Sequence, residues 1–381
     1  MDRVAIVGAS AAGLAVAATL RDEGFAGTIA LIGEERRPGY DRPPLSKKLH
    51  YQEGDFATLL LTDPAAFGRL DLDLRLGQRA VAADARRGTL SLADGATVPW
   101  DALVVATGVR PAILPGGGLT LRTFDDAIRL GEHLGSAEKV VIVGAGFLGC
   151  ELAALVAASG RRAILVDPQP APMADRFGPA VAARLFALHA ARGVEMHFGV
   201  PVARILAEQA GPKDVDLTDG RRLEADLVVV AVGSRPATEW LAGSGIPVEN
   251  GVTCDEYCRA LPNVYAAGDV ANWFNPRYAR RMRIEHRMNA TEQGVAVAAN
   301  ILGRDRAFDP IPYFWTDQFD QKIQVHGLIG GNRQVVELTG TIGTDSFVLA
   351  YVEAGLIAGV LGWNAPVGVR KARALVGKPP A

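Results

Sequence analysis

Gly144, Gly146 and Gly149 directly follow an apolar run at 140–143, and Asp167 closes a second apolar run at 163–166. Glycines at that spacing suit a dinucleotide. Gly144 permits a tight turn, Gly146 lets the backbone approach a pyrophosphate, and Gly149 lets a helix pack closely on its strand. With Phe147 and Leu148 they open an alanine-rich segment of helix-forming composition that runs to Ser159 and Gly160. Its first N–H groups and its dipole would face the phosphates. Asp167 can accept both hydroxyls of a ribose and would repel a 2′-phosphate. A lone GxGxxG is weak; strand, turn, helix, strand and acid in this order make a dinucleotide site the strong reading. The run is long enough to span a membrane, but three turn-spaced glycines and the central Glu151 argue against that.

The same pattern opens the chain. A strand at 4–7 leads into Gly8, Ser10, Ala12 and Gly13, then a helix to about Glu23, a stop at Gly24, a strand at 28–32, and Glu34 in the ribose-binding place. Ser10 replaces the middle glycine, so backbone approach to phosphate is less free there. Two fingerprints suggest a repeat. Asp94, Gly95, Asp101, Gly108, Arg110 and Pro111 recur in fixed register as Asp219, Gly220, Asp226, Gly233, Arg235 and Pro236. Each Asp-Gly signals a hairpin turn, and each set ends in an apolar strand, a glycine turn (Thr107-Gly108 in the first, Gly233 in the second) and Arg-Pro. Residues 4–111 and 140–236 therefore read as two copies of one nucleotide-binding module.

Around these modules the elements are less regular. Prolines in the 39–47 loop fix an irregular backbone bearing Arg42 and Lys47, with Ser46 near a helix cap. The loop reads either as solvated or as laid against a cofactor. Asp269 follows a short strand at 263–267 where a helix is expected to start, so it could cap that helix or accept a cofactor hydroxyl. Arg277, Arg280, Arg281 and Arg283 form a basic run before a helix at 289–302. From about Pro310 the chain reads as strands at 321–328, 334–341 and 346–353 and a closing helix at 367–375, a small α+β domain without a nucleotide fingerprint. Composition is ordinary for a soluble globular protein, 49% hydrophobic and 22% charged, with net charge -2. That charge implies no general attraction to nucleic acid or acidic membrane. Cys150, Cys254 and Cys258 are too few for a disulfide scaffold, and Cys254 and Cys258 read as ordinary thiols rather than metal ligands. With no signal-like segment at its start, the chain is expected to be cytoplasmic, reduced and metal-free.

The order GASAAG, YDRPPLSK, VATGVRP, LRTFDDA, VVIVGAGFLG, VYAAGDV, RIEHRMNATEQG and YFWTDQF resembles the oxygenase-coupled, NADH-dependent ferredoxin reductases over nearly the whole chain. YDRPPLSK and YFWTDQF are the specific pieces. The resemblance implies an α/β, glutathione-reductase-like fold: two Rossmann-type dinucleotide-binding domains and a small α+β C-terminal domain. FAD would bind a discontinuous domain at 1–110 and 237–309, NADH a domain at 111–236, and 310–381 would form the third. The likeness further implies Ala12 at the FAD pyrophosphate turn, Glu34 at the adenosine ribose and Val81 near the adenine. Lys47 would lie beside the isoalloxazine with Glu151 as its charge partner. Arg122 would reach the flavin nucleotide, Asp269 the ribityl-phosphate part, and Arg287 and Trp315 the ring. Arg287 departs from the family, which often has an apolar residue there. The implied function is electron transfer from NADH through FAD to an acidic iron–sulfur ferredoxin serving a monooxygenase or dioxygenase. Docking is expected near Arg277, Arg280, Arg281 and Arg283, on a monomer or weak dimer. Two alternatives share the fold: an NADH oxidase or peroxide reductase, which usually needs a cysteine near position 46, and an NADH-sensing flavoprotein resembling apoptosis-inducing factor.

Overall fold

Val4, Ala5, Ile6 and Val7 are buried on strand Arg3–Val7, which has a parallel neighbour at each edge and side chains packed into the core from both faces. Burial on both faces is why such strands read as continuous apolar runs rather than alternating ones. The coordinates are a computed structural model, which describes residues 1–206 and 213–380. They divide into two compact units.

The first unit comprises Met1–Asp41, Phe56–Arg110 and Arg235–Pro310. Its six-stranded sheet runs, edge to edge, Arg259–Leu261, Val264–Ala266, Ala102–Val105, Arg3–Val7, Thr28–Gly33 and Asp73–Leu76. Helix Ala11–Asp22 follows the first strand and packs along helix Arg287–Ile301. An antiparallel meander, Ala80–Asp84, Thr89–Leu92 and Thr97–Pro99, precedes Ala102–Val105. Asp101, at the join, accepts the backbone amides of Asp2 and Arg3 at 2.8 and 2.9 Å and the Arg3 guanidinium at 2.7 Å. This ties the end of the module to its beginning.

The second unit comprises Arg42–Asp55, Pro111–Ser234 and Ile311–Ala381. Its parallel sheet runs Glu195–Phe198, Arg162–Asp167, Lys139–Val143 and Leu227–Val230. Asp226 accepts the amides of Glu138 and Lys139 at 2.9 and 2.8 Å, the same tie that Asp101 makes. The hairpins match too. Asp94 accepts Ala96 N and Asp219 accepts Arg221 N, while Gly95 and Gly220 take φ of 88° and 89°. The repeated residues thus hold the backbone in both copies.

The C-terminal sheet has five antiparallel strands in the order Tyr313–Gln318, Gln321–Gly327, Leu356–Trp363, Phe347–Glu353 and Gln334–Thr339. The sequence reading gave three. Tyr313–Gln318 was missed because aromatic and polar residues share both its faces. Leu356–Trp363 was missed because two glycines interrupt it; both lie against neighbouring chain, with a Cβ on Gly359 only 2.5 Å from Leu328 O. The helix expected from Asp269 is a single 3-10 turn, Gly268–Val270, that runs into a strand, Ala271–Asn275. The arginine run is likewise a strand, Arg280–Arg283, paired with Ala271–Asn275.

Candidate active site

The first glycine turn closes on the end of a neighbouring strand. A Cβ at Gly8 (φ 122°) would stand 2.0 Å from Ala106 O, and one at Gly13 would stand 1.9 Å from Gly8 O. Ser10, between them, has φ −109° and its hydroxyl makes no cap bond. Nothing in that backbone conformation demands glycine. Gly268 brings two helix starts together: a Cβ there would lie 3.0 Å from the Ala12 Cβ and 3.5 Å from the Ala290 Cβ. Its amide donates to Gln293 Oε1 at 2.9 Å. Asn289 Oδ1, beside this junction on helix Arg287–Ile301, is buried and accepts no hydrogen bond from a described residue. Sequence reasoning passed over Asn289 and Gln293; the available signal was two amides one turn apart in an alanine- and valine-rich helix. Asp269 does not cap a helix. It lies inside the 3-10 turn, and its carbonyl accepts from Arg283 Nη1 at 3.1 Å.

Glu34 is half exposed and pairs with Arg110 at 2.8 Å. Thr107 Oγ1 donates to Ala237 O at 2.7 Å, next to Gly108 at φ 67°. Val81 is exposed on the meander. Arg287 is paired with Asp41 and also donates to Thr291 Oγ1, so its charge is offset within the unit.

In the second unit a Cβ at Gly144 (φ 105°) would stand 2.4 Å from Ala231 O, and one at Gly149 would stand 1.8 Å from Gly144 O. Gly146 is the exception: its φ is −76°, and nothing lies within 4 Å of a Cβ placed there. Two glycines are therefore required by the protein's own packing, and the third fronts open space. Asp167 Oδ2 accepts Ala145 N at 2.6 Å and Oδ1 accepts Gln169 N at 2.8 Å. The acid thus anchors the turn it was expected to serve. Phe147 packs edge-on against Phe177 and Phe314, with centroids 5.8 and 5.0 Å away. Leu148 is partly buried, and Gly233 takes φ 101°.

The 3-10 turn Pro43–Ser46 brings Lys47 to Glu151, on helix Phe147–Ala158. Lys47 Nζ lies 2.6 Å from Glu151 Oε1, 3.3 Å from the Asp317 carbonyl and 3.8 Å from its carboxylate. Ser46 Oγ donates to Glu151 Oε2 at 2.5 Å, and Thr316 Oγ1 donates to Oε1 at 2.7 Å. The Glu151 side chain is only 11% exposed. Three donors converge on this nearly buried carboxylate and fix its position beside the Lys47 ammonium. Arg42 Nη1 donates to the Arg122 carbonyl at 2.7 Å, where the capping box of Thr123 and Asp126 begins a helix. Trp315 stacks on Tyr313, and Tyr313 on His326, with centroids 6.0 and 4.7 Å apart.

All three cysteines are free and buried. Burial raises each thiol, Cys258 to about 12 despite the hydrogen bond from Gln293 that opposes the shift, and Cys150 and Cys254 also upward. None is poised for thiolate chemistry. Among the described residues no group of three His, Cys, Asp or Glu could hold a metal, and no helix is long and apolar enough to cross a membrane.

Residues 2–294 match the pyridine nucleotide-disulphide oxidoreductase family, and residues 313–379 match the reductase C-terminal domain. Rhodocoxin reductase of Rhodococcus erythropolis is 33% identical over 86% of this chain and 78% of its own. The ferredoxin reductase for the CYP199A2 system from Rhodopseudomonas palustris superposes with a TM-score of 0.93 at 35% identity, covering 100% of this chain and 96% of that one. Putidaredoxin reductase in its covalent complex with putidaredoxin gives 0.91 at 30% identity, covering 99% and 93%. The chain belongs to the oxygenase-coupled ferredoxin reductases of this family. The reductase has the glutathione-reductase-like fold of these structures, and it is an oxidoreductase. Where the family name carries a disulphide, this reductase has Ser46 beside Lys47, its hydroxyl spent on Glu151.

Proposed function

We propose that this reductase passes electrons from NADH through FAD to an iron–sulfur ferredoxin that serves a monooxygenase or dioxygenase. The carrying observation is the Lys47–Glu151 contact with a serine, not a thiol, next to it. A fixed cation can offset negative charge on a reduced cofactor, whereas dithiol chemistry has no accessible cysteine here. That disfavours the peroxide-reducing alternative.

The residues present fit the two dinucleotides. FAD would be held in a discontinuous domain, 1–110 and 237–309, and NADH in 111–236, with 310–381 as the third domain. Asn289 Oδ1 offers a buried acceptor that lacks a donor among the described residues, and Gly146 leaves open the approach to a helix N-terminus. Gly8, Ser10, Ala12, Gly13 and Asp269 would border the FAD phosphates. Glu34 would take the adenosine ribose, with Val81, Thr107, Gly108, Arg42 and Arg122 along the rest. Gly144, Gly146, Phe147, Leu148, Gly149 and Gly233 would line the NADH turn, with Asp167 at its ribose. FAD supplies two-electron acceptance from NADH and one-electron release to the ferredoxin. The chain would position the group and balance charge: Lys47 would present an ammonium that Glu151 fixes, with Trp315 proposed at the ring and Arg287 a separate candidate for it.

An acidic ferredoxin docking near Arg277, Arg280, Arg281 and Arg283 would meet one uncommitted guanidinium. Arg277 pairs with Asp309, Arg281 donates to the carbonyls of Cys254 and Asn272, and Arg283 pairs with Glu285. The protein is taken to work in the cytoplasm as a monomer or weak dimer.

The test is NADH-driven cytochrome c reduction with and without a panel of ferredoxins. A large ferredoxin-dependent rate is expected; a rate that no ferredoxin increases would overturn the assignment.

A further inference from the structure

Beyond the first contacts of Glu151 lies a run of buried polar side chains with no part in the proposed binding of either dinucleotide. Thr316, Gln318 and His189 are each fully buried, on strand Tyr313–Gln318 and helix Pro179–Ala191. Their hydrogen-bond directions are forced from one end. A carboxylate only accepts, so Thr316 spends its single hydroxyl hydrogen on Glu151 Oε1 at 2.7 Å. The same hydroxyl then can only accept from Gln318, whose Nε2 lies 3.5 Å away. That turns Gln318 Oε1 to His189 Nε2 at 2.8 Å, so the imidazole carries its proton on Nε2. The nitrogen left bare is Nδ1, and Nδ1 is the buried atom without a partner among the described residues. Burial pushes His189 below the usual imidazole range, outweighing the Gln318 hydrogen bond that pulls it up, which agrees with a neutral ring.

We propose that Thr316, Gln318 and His189 are positioning residues: a chain of hydrogen bonds, all donating toward Glu151, that fixes its carboxylate and through it the ammonium of Lys47. Aligned donors strengthen one another, so the chain holds the group at its end in one place. Valine at 316 would fill the same volume on a buried strand without needing a partner, so a hydroxyl there has its use in the hydrogen bond it gives. The one unsatisfied atom stands at the far end, away from the carboxylate. This proposal rests on the reading that Lys47 and Glu151 serve the flavin.

Two measurements test it. Nitrogen-15 NMR of histidine-labelled, FAD-loaded protein reads the His189 tautomer directly. The Nε2–H form is expected; the Nδ1–H form reverses the chain and overturns the proposal whatever the flavin does. The second measurement is a cycle of Thr316→Val, Glu151→Gln and the double variant, with Thr316→Ser as the conservative control. NADH–ferricyanide kcat and the flavin midpoint potential are both read. Thr316→Val is expected to lower kcat about three- to tenfold and to shift the potential, Thr316→Ser to restore both, and the double variant to match Glu151→Gln alone. An equal loss from Thr316→Val in both backgrounds, or an unmoved potential, would show a packing role and overturn the proposal. If Glu151→Gln changes neither readout, the flavin reading of Lys47 and Glu151 falls too, an outcome the tautomer measurement keeps separate from the direction of the chain.

Discussion

Asp167 joins two tasks in one carboxylate. It holds Ala145 N and Gln169 N in the turn, and its place at the strand end suits a ribose. Asp167→Ala should therefore do two things at once. Losing the ribose contact and the repulsion of a 2′-phosphate should narrow an NADH preference of about 2–4 kcal/mol, mainly by weakening NADH. Freeing the buried Ala145 amide should cost about 1–3 kcal/mol of stability. Specificity constants for both cofactors and a denaturant melt separate the effects; equal NADH and NADPH constants in the parent protein would refute the first. The glycines give a sharper contrast. Gly13→Ala should prevent stable folding, because its Cβ would fall 1.9 Å from Gly8 O, whereas Ser10→Gly should change stability by about 1 kcal/mol or less, since Ser10 already has a negative φ. A melting curve for each settles this. Residue types and spacing made these positions legible. They did not reveal Asn289 or Gln293, whose burial depends on the distant Gly268 turn.

At the scale of elements, the two aspartate ties carry the modules' architecture. Asp101 is held down to about 2, chiefly by the Arg3 hydrogen bond and then by the amide of Asp2. Its folded value lies below the unfolded one of about 3.9. The tie thus contributes its full stability above the unfolded value and loses it as pH falls through about 2. Asp101→Asn should be less stable at neutral pH and show a flatter stability curve between about pH 4 and 2 than the parent; parallel curves would count against it. The elements themselves were largely readable where glycine turns and apolar runs bracket them. The C-terminal sheet was half read. Tyr313–Gln318 and Leu356–Trp363 take their places from neighbouring strands, a non-local cause that periodicity does not record. The arginines were read only as a basic run, because charge alone gives no register; in the structure Arg280–Arg283 is a strand, and Arg277, Arg281 and Arg283 are each held by neighbouring groups.

For the whole molecule, net charge of -2 leaves ferredoxin recognition to local features. Arg280 is exposed and has no ion-pair or hydrogen-bond partner among the described residues. Arg280→Glu should raise the ferredoxin KM about two- to fivefold at low salt, shrink that difference as salt rises, and leave ferricyanide reduction unchanged. Reversing Arg281 instead should damage folding, since its guanidinium supports the Cys254 and Asn272 carbonyls. An unaltered ferredoxin KM in Arg280→Glu would move the docking surface off this strand.

The matching ties of Asp101 and Asp226 also bear on ancestry. Each carboxylate accepts two consecutive amides at the start of its own module, at nearly equal distances. Such agreement is what a tandem duplication leaves behind when both daughters keep the same closure. The two copies differ at the middle of the turn, serine in one and glycine in the other, while both share the closure.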